Sequence, residues 1–142
     1  WQILAGFLIV HLTAGVILGV VFQLAHVVEG PEHFVPPDEE LMEDSWLVHE
    51  MKTTSDFGRG NALLNWYVGG LNFQVEHHLF PRVCSIHYPA ISPIVEEVAR
   101  KHGIPYHSHA TLREAIRSHW HMLKTLGAKP EGVTLKTSPS KA

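Results

Sequence analysis

Three side chains in the stretch Leu71 to Arg82, LNFQVEHHLFPR, have the types and spacing to hold a metal. On a helix Gln74 and His77 are i, i+3 and Gln74 and His78 are i, i+4, so all three can converge on one ion. His77 and His78 project about 100° apart, a geometry that suits two adjacent metals better than one. Pro81 ends the array shortly after, because it has no backbone N–H and its ring obstructs the preceding turn. Neutral imidazoles with an amide oxygen suit first-row metals such as iron, and a single cysteine, Cys84, excludes a Cys-rich zinc module. Glu76 projects to the opposite side from Gln74, which puts it behind the ligands or in solvent. Arg82 and Tyr88, beside the array, are candidates to support the ligands from behind. A histidine pair on a solvated helix is the plain alternative. Apolar flanks, and a second polar cluster upstream, favour the metal.

That second cluster stands at the end of the element that must position it. Ile3 to Val28 is a 26-residue stretch without formal charge, and about 20 apolar residues cross a bilayer as a helix. A signal peptide would need a basic leader, a short apolar stretch and small residues after it, and the stretch shows none of these. A helix buried in a soluble protein is the other alternative. Within the stretch, Gln23 and His26 are i, i+3 at the inner end, where polar groups face a bundle interior or an aqueous cavity. His11, near mid-span, is tolerable as a neutral imidazole bonded to a neighbouring helix. All eleven Lys and Arg residues lie at or after Lys52, which places the C-terminal side in the cytosol by the positive-inside rule.

The 142 residues carry 11 Lys and Arg against 14 Asp and Glu, so a mildly acidic chain without a basic block argues against a nucleic-acid partner. The fold class expected is all-α, an integral membrane helix followed by a cytosolic helical cap. Residues 1–28 form the transmembrane helix and residues 29–60 an acidic loop with an amphipathic helix. Residues 61–83 form an interfacial segment with the histidines, residues 84–128 the cap and residues 129–142 a disordered tail. A helix is expected to start near Asp38, with His33 solvated beside it, and another to run from Trp46 to Phe57. Ala62 to Val75 is too short to span and is interrupted at Gly69-Gly70. In the cap, Ser92-Pro93 reads as a helix start and Gly103 as its stop. Thr111 to Glu114 reads as a capping box, with Gly127 as the stop. Leu112, Ala115, Ile116, Trp120 and Leu123 form that helix's apolar face. His87, His102, His107, His109, His119 and His121 are read as surface or packing residues, with His107 and His109 in a loop.

QVEHHLFP resembles the third histidine box, HxxHH, of the membrane fatty acid desaturases, in the variant whose first His is Gln. WYVGGLNFQVEHHLFPRV and HYPAISPIVEEVARKHGIPY are similar to the acyl-lipid and linoleoyl-CoA desaturase branch, and the likeness runs from Phe22 to about His121. The Gln form is typical of the front-end group, which places a double bond between an existing one and the carboxyl end. The resemblance implies that Gln74, His77 and His78 contribute to a di-iron site. It implies that His26, in FQLAHVVEG, is a further ligand and that Gln23 acts through a water or from behind. Two departures stand out: the family's first two boxes, HxxxH and HxxHH, and the cytochrome b5 heme motif, HPGG, do not occur in this sequence. The expectation is therefore the C-terminal part of a desaturase, inactive alone.

The resemblance further implies two iron ions, dioxygen, two electrons from a cytochrome b5 or ferredoxin donor, and a fatty acyl substrate, as acyl-CoA or acyl-lipid, reached from the bilayer. Removing hydrogen from an unactivated methylene is beyond any side-chain acid or base, so the metal must supply that power. Ligation needs unprotonated imidazole, so metal affinity should fall in acid. Two alternatives are a fatty acyl hydroxylase on the same scaffold and a membrane-anchored metal-binding module without catalysis.

Overall fold

The structure, a computed structural model, describes residues 1–32 and 44–128. The helix expected near Asp38, His33 and the tail from Lys129 lie outside the described residues. The fold is helical with little strand: α1 (Gln2–His26), α2 (Trp46–Thr53), β1 (Ser55–Phe57), α3 (Ala62–Tyr67), α4 (Gln74–Leu79), α5 (Tyr88–Lys101), β2 (His107–His109) and α6 (Leu112–Gly127). The all-helical expectation therefore holds, with two three-residue strands added.

An unbroken apolar sequence without proline makes α1, which is long and apolar enough to cross a membrane. Its most apolar 18-residue stretch has no buried residue, so Leu12 and Val16 present bare hydrocarbon. Only the last turns pack inward, through Val21, Leu24 and Ala25. His11 donates from Nδ1 to Phe7 O at 2.9 Å, so its partner lies in its own helix rather than a neighbouring one.

The rest of the chain packs around the inner end of α1 in two apolar clusters. Val21 and Leu24 meet Phe57 and Ala115, with Leu64, Val68, Leu71 and Leu112 around them. Met51, Val75 and Ala99 form the second, with Leu79, Val95, Ile104 and Tyr106. β1 and β2 pair in parallel, Ser55 with His107, Asp56 with Ser108 and Phe57 with His109. Phe57 N–H donates to Asn72 O at 3.0 Å, which draws the chain entering α4 alongside β1. From α6, Ser118 Oγ accepts Glu29 N–H at 2.8 Å and His119 Nδ1 donates to Val27 O at 2.7 Å. These two bonds tie α6 to the chain just after α1.

Local signals explain several boundaries. Gly69 and Gly70 have φ of +65° and +86° and end α3, a backbone that side chains resist. The Gly103 turn closes α5, with Ile104 N–H on Ala99 O at 2.9 Å and Gly103 N–H on Arg100 O at 3.3 Å. The capping box is present, with Glu114 N–H on Thr111 Oγ1 and Thr111 N–H on Glu114 Oε2. Other expectations need correction. The helix from Trp46 stops at Thr53, and Thr54, Ser55 and Asp56 are fully buried in β1 and the residue before it. α5 begins at Tyr88, so Pro93 is internal and Ser92 is no cap. Ser92 Oγ instead meets Arg59 and Tyr106. His107 and His109 lie in β2 rather than in a loop. On α6 Leu112 and Ala115 of the expected face pack inward with Ser118 buried beside them, while Ile116, Trp120 and Leu123 are exposed.

Candidate metal centre

α4 is six residues long and carries Gln74, His77 and His78. Its N-cap residue, Phe73, has no side chain able to cap, so Asp56 Oδ1 accepts Val75 N–H at 2.9 Å from β1. Gln74 is fully buried and both its amide atoms lack a partner. His77 and His78 are half-buried beside it.

His26 at the end of α1 reaches the same place. Its ring stands 5.2 Å from that of His78, nearly perpendicular at 85°. The His77 and His78 rings are 5.9 Å apart, and the Tyr88 ring is 6.4 Å from that of His77. The row His26, His78, His77, Tyr88 thus joins α1, α4 and α5. His78 donates from Nδ1 to Glu50 Oε2 at 2.8 Å, and His26 makes a longer contact from Nδ1 to Thr53 O at 3.4 Å. Nε2 of each ring is then the nitrogen with a lone pair. Burial pushes the His78 imidazole below its ordinary value, with His26 and His77 acting the same way and Glu50 opposing them. Among the described residues, no three His, Cys, Asp or Glu side chains are placed to hold an ion by themselves.

The other expected site residues divide. Tyr88 is buried against His77, whereas Gln23 and Arg82 are exposed. Glu76 is fully buried rather than solvated. It belongs to a polar knot that local spacing could not disclose. The Tyr106 hydroxyl lies 2.6 Å from Asp56 Oδ2, 2.9 Å from Glu76 Oε1 and 3.0 Å from Ser92 Oγ. Arg59 donates to Ser92 and to Glu96 at 2.9 and 2.8 Å and stacks over the Tyr106 ring. A phenol has one proton to donate, so two carboxyls around one hydroxyl require a second proton between them. Burial, then the Glu76 charge, push Asp56 well above the usual carboxylate range, against the pull of its bonds from Tyr106 and Val75. Burial and the two acids push the Tyr106 phenol far up as well. Glu50, Asp56 and Tyr106 were missed because their partners are 19 to 50 positions away in the chain. The one available signal was a set of polar residues, Asp56 and Asn72 among them, inside apolar surroundings.

The sequence profile of the fatty acid desaturase family matches residues 1–110. The chain is 46% identical over 123 residues to an sn-1 linoleoyl-lipid 6-desaturase of Arthrospira platensis, covering 87% of this chain and 33% of that protein. It is 37% identical over 127 residues to the protein of the same name from Synechocystis, covering 89% and 35%. It is 38% identical over 131 residues to a Delta(5) fatty acid desaturase A of Dictyostelium discoideum, covering 89% and 28%. The chain belongs to the fatty acid desaturase family. It spans about a third of the length of these relatives. No solved structure matches it. Family membership and the bare apolar surface of α1 together point to membrane association.

Proposed function

We propose that this chain is the part of a membrane fatty acid desaturase that supplies His26, Gln74, His77 and His78 to a di-iron centre. The observation that carries the reading is the approach of His26 to His78, 5.2 Å between rings, with the Nδ1 of each ring turned to an oxygen. Ligating histidines are commonly held in this way, the second nitrogen bonded to a carboxylate or carbonyl that fixes tautomer and orientation. The Gln74 amide supports it too, since a buried amide without a partner is costly and a metal would satisfy its oxygen. Iron bound there would activate dioxygen, the oxidant that removal of hydrogen from an unactivated methylene requires.

The chain's own residues then have distinct tasks. Glu50 orients His78, Tyr88 packs behind His77, and Glu76 faces Tyr106 from the same helix. In the proposed arrangement residues 1–28 span the bilayer, residues 61–83 lie at its surface and residues 84–128 form a cytosolic cap. The box side is then cytosolic, accepting electrons from a cytochrome b5 or ferredoxin-type donor while the acyl substrate enters from lipid. Iron analysis of the full-length protein tests the ligand set. His78→Ala and His77→Ala should each remove most bound iron, and undiminished iron in both would refute the assignment. Mass spectrometry of the lipid product should show loss of two hydrogens, whereas an added oxygen would mark a hydroxylase.

A further inference from the structure

We propose that Tyr106 is a positioning residue for the box helix, its hydroxyl bridging Asp56 and Glu76 so that α4 is held at one rotation and one depth. This rests on the ligand reading above and adds what sets the direction of the ligands.

A helix of six residues cannot fix itself: nucleation is unfavourable and few of its backbone bonds are internal. α4 is instead held from outside at two adjacent positions. Asp56 Oδ1 takes the Val75 N–H, and the other oxygen of the same carboxyl meets Tyr106. Tyr106 in turn meets Glu76 Oε1, one residue further along α4. Val75, Asp56, Tyr106 and Glu76 therefore close a ring of contacts that includes the helix itself. Along the chain its two attachment points, Val75 and Glu76, fall between Gln74 and the pair His77 and His78. Ser92 and Arg59 fix the phenol from α5 and from the turn after β1. The Tyr106 ring packs in the apolar cluster of Met51, Val75 and Ala99, so the hydroxyl has little freedom to move away. None of these groups touches the imidazoles, and they act on them only through the backbone of α4.

Two variants of the full-length protein separate this role from general packing. Tyr106→Phe keeps the ring in its cluster and removes only the hydroxyl. Val95→Ala loosens the same cluster and leaves the bridge intact. In metal-free protein, amide exchange at Glu76 to Leu79 should quicken by about tenfold or more in Tyr106→Phe, as expected for losing a buried bond. In Val95→Ala, exchange there should quicken no more than in the rest of the cluster. With cobalt(II) as the probe metal, Tyr106→Phe should shift the ligand-field absorption bands and Val95→Ala should leave them in place. Unchanged exchange in Tyr106→Phe, or equal changes in both variants, would overturn the proposal. If the wild-type protein takes up no cobalt, the ligand reading fails, while the exchange measurement still decides the role of Tyr106.

Discussion

His78 and Glu50 meet at 2.8 Å between Nδ1 and Oε2, across the gap from α4 to α2. The pair fixes which imidazole nitrogen is free, and it does so from a residue 28 positions upstream. Glu50→Ala should weaken metal binding by about 10- to 100-fold. Glu50→Gln, which retains an oxygen acceptor, should lose less. Titration of the full-length protein with cobalt(II) would check this, and equal affinity in all three proteins would remove Glu50 from the site.

Gln74 gives a test with two opposite signs. Its buried amide has no partner within the chain, so Gln74→Met should stabilise metal-free protein by about 1–3 kcal/mol. The same change should lower iron content and product yield, as should Gln74→Ala and Gln74→His. Thermal unfolding with and without metal measures both effects. A variant less stable without metal, yet fully loaded with iron, would contradict them.

Asp56 predicts a dependence on pH. Its carboxyl holds a proton more tightly in the folded chain than in the unfolded one. Stability from this group is therefore greatest in acid and falls as pH rises from the unfolded value, near 4, to the raised folded value. The slope is at most about 1.4 kcal/mol per pH unit for one proton. Asp56→Asn keeps an oxygen for Val75 N–H and a donor for Tyr106, so it should fold and lose this component. The difference between the two unfolding curves across pH isolates it, and parallel curves would show that Asp56 is ionised.

Gly70 should not tolerate a side chain. Its φ is +86°, and a Cβ there would lie 2.5 Å from Ser85 Cβ. Gly70→Ala should cost more than about 1 kcal/mol, the sum of backbone strain and the clash. Gly69→Ala meets nothing within 4 Å and should cost less. Chemical denaturation of the pair would show whether this order holds.

What the sequence disclosed was what neighbouring residues settle among themselves. The apolar run of α1, the capping box at Thr111, the Gly103 turn and the break at Gly69-Gly70 are all local arrangements, and each is present. The box and the likeness carried by QVEHHLFP also gave the family. Periodicity identified α6 and the part of its face, Leu112 and Ala115, that packs inward. Ser118 turns inward because its hydroxyl accepts the Glu29 N–H, and Ile116, Trp120 and Leu123 are left outside. The Ser92-Pro93 start failed for a similar reason, since Ser92 is engaged by Tyr106 and Arg59. Such pairings join residues that only the folded chain brings together, and no spacing rule reaches them.

The parallel pairing of Ser55 with His107 has a consequence for biosynthesis. The histidines are translated well before the strand and phenol that secure them. A ribosome must release the chain through His109 before that enclosure can close, so an ion held at the proposed site would meet the finished enclosure only after β2 has emerged. A nascent chain stalled short of that point would expose its imidazoles unsorted to whatever metals the cell offers.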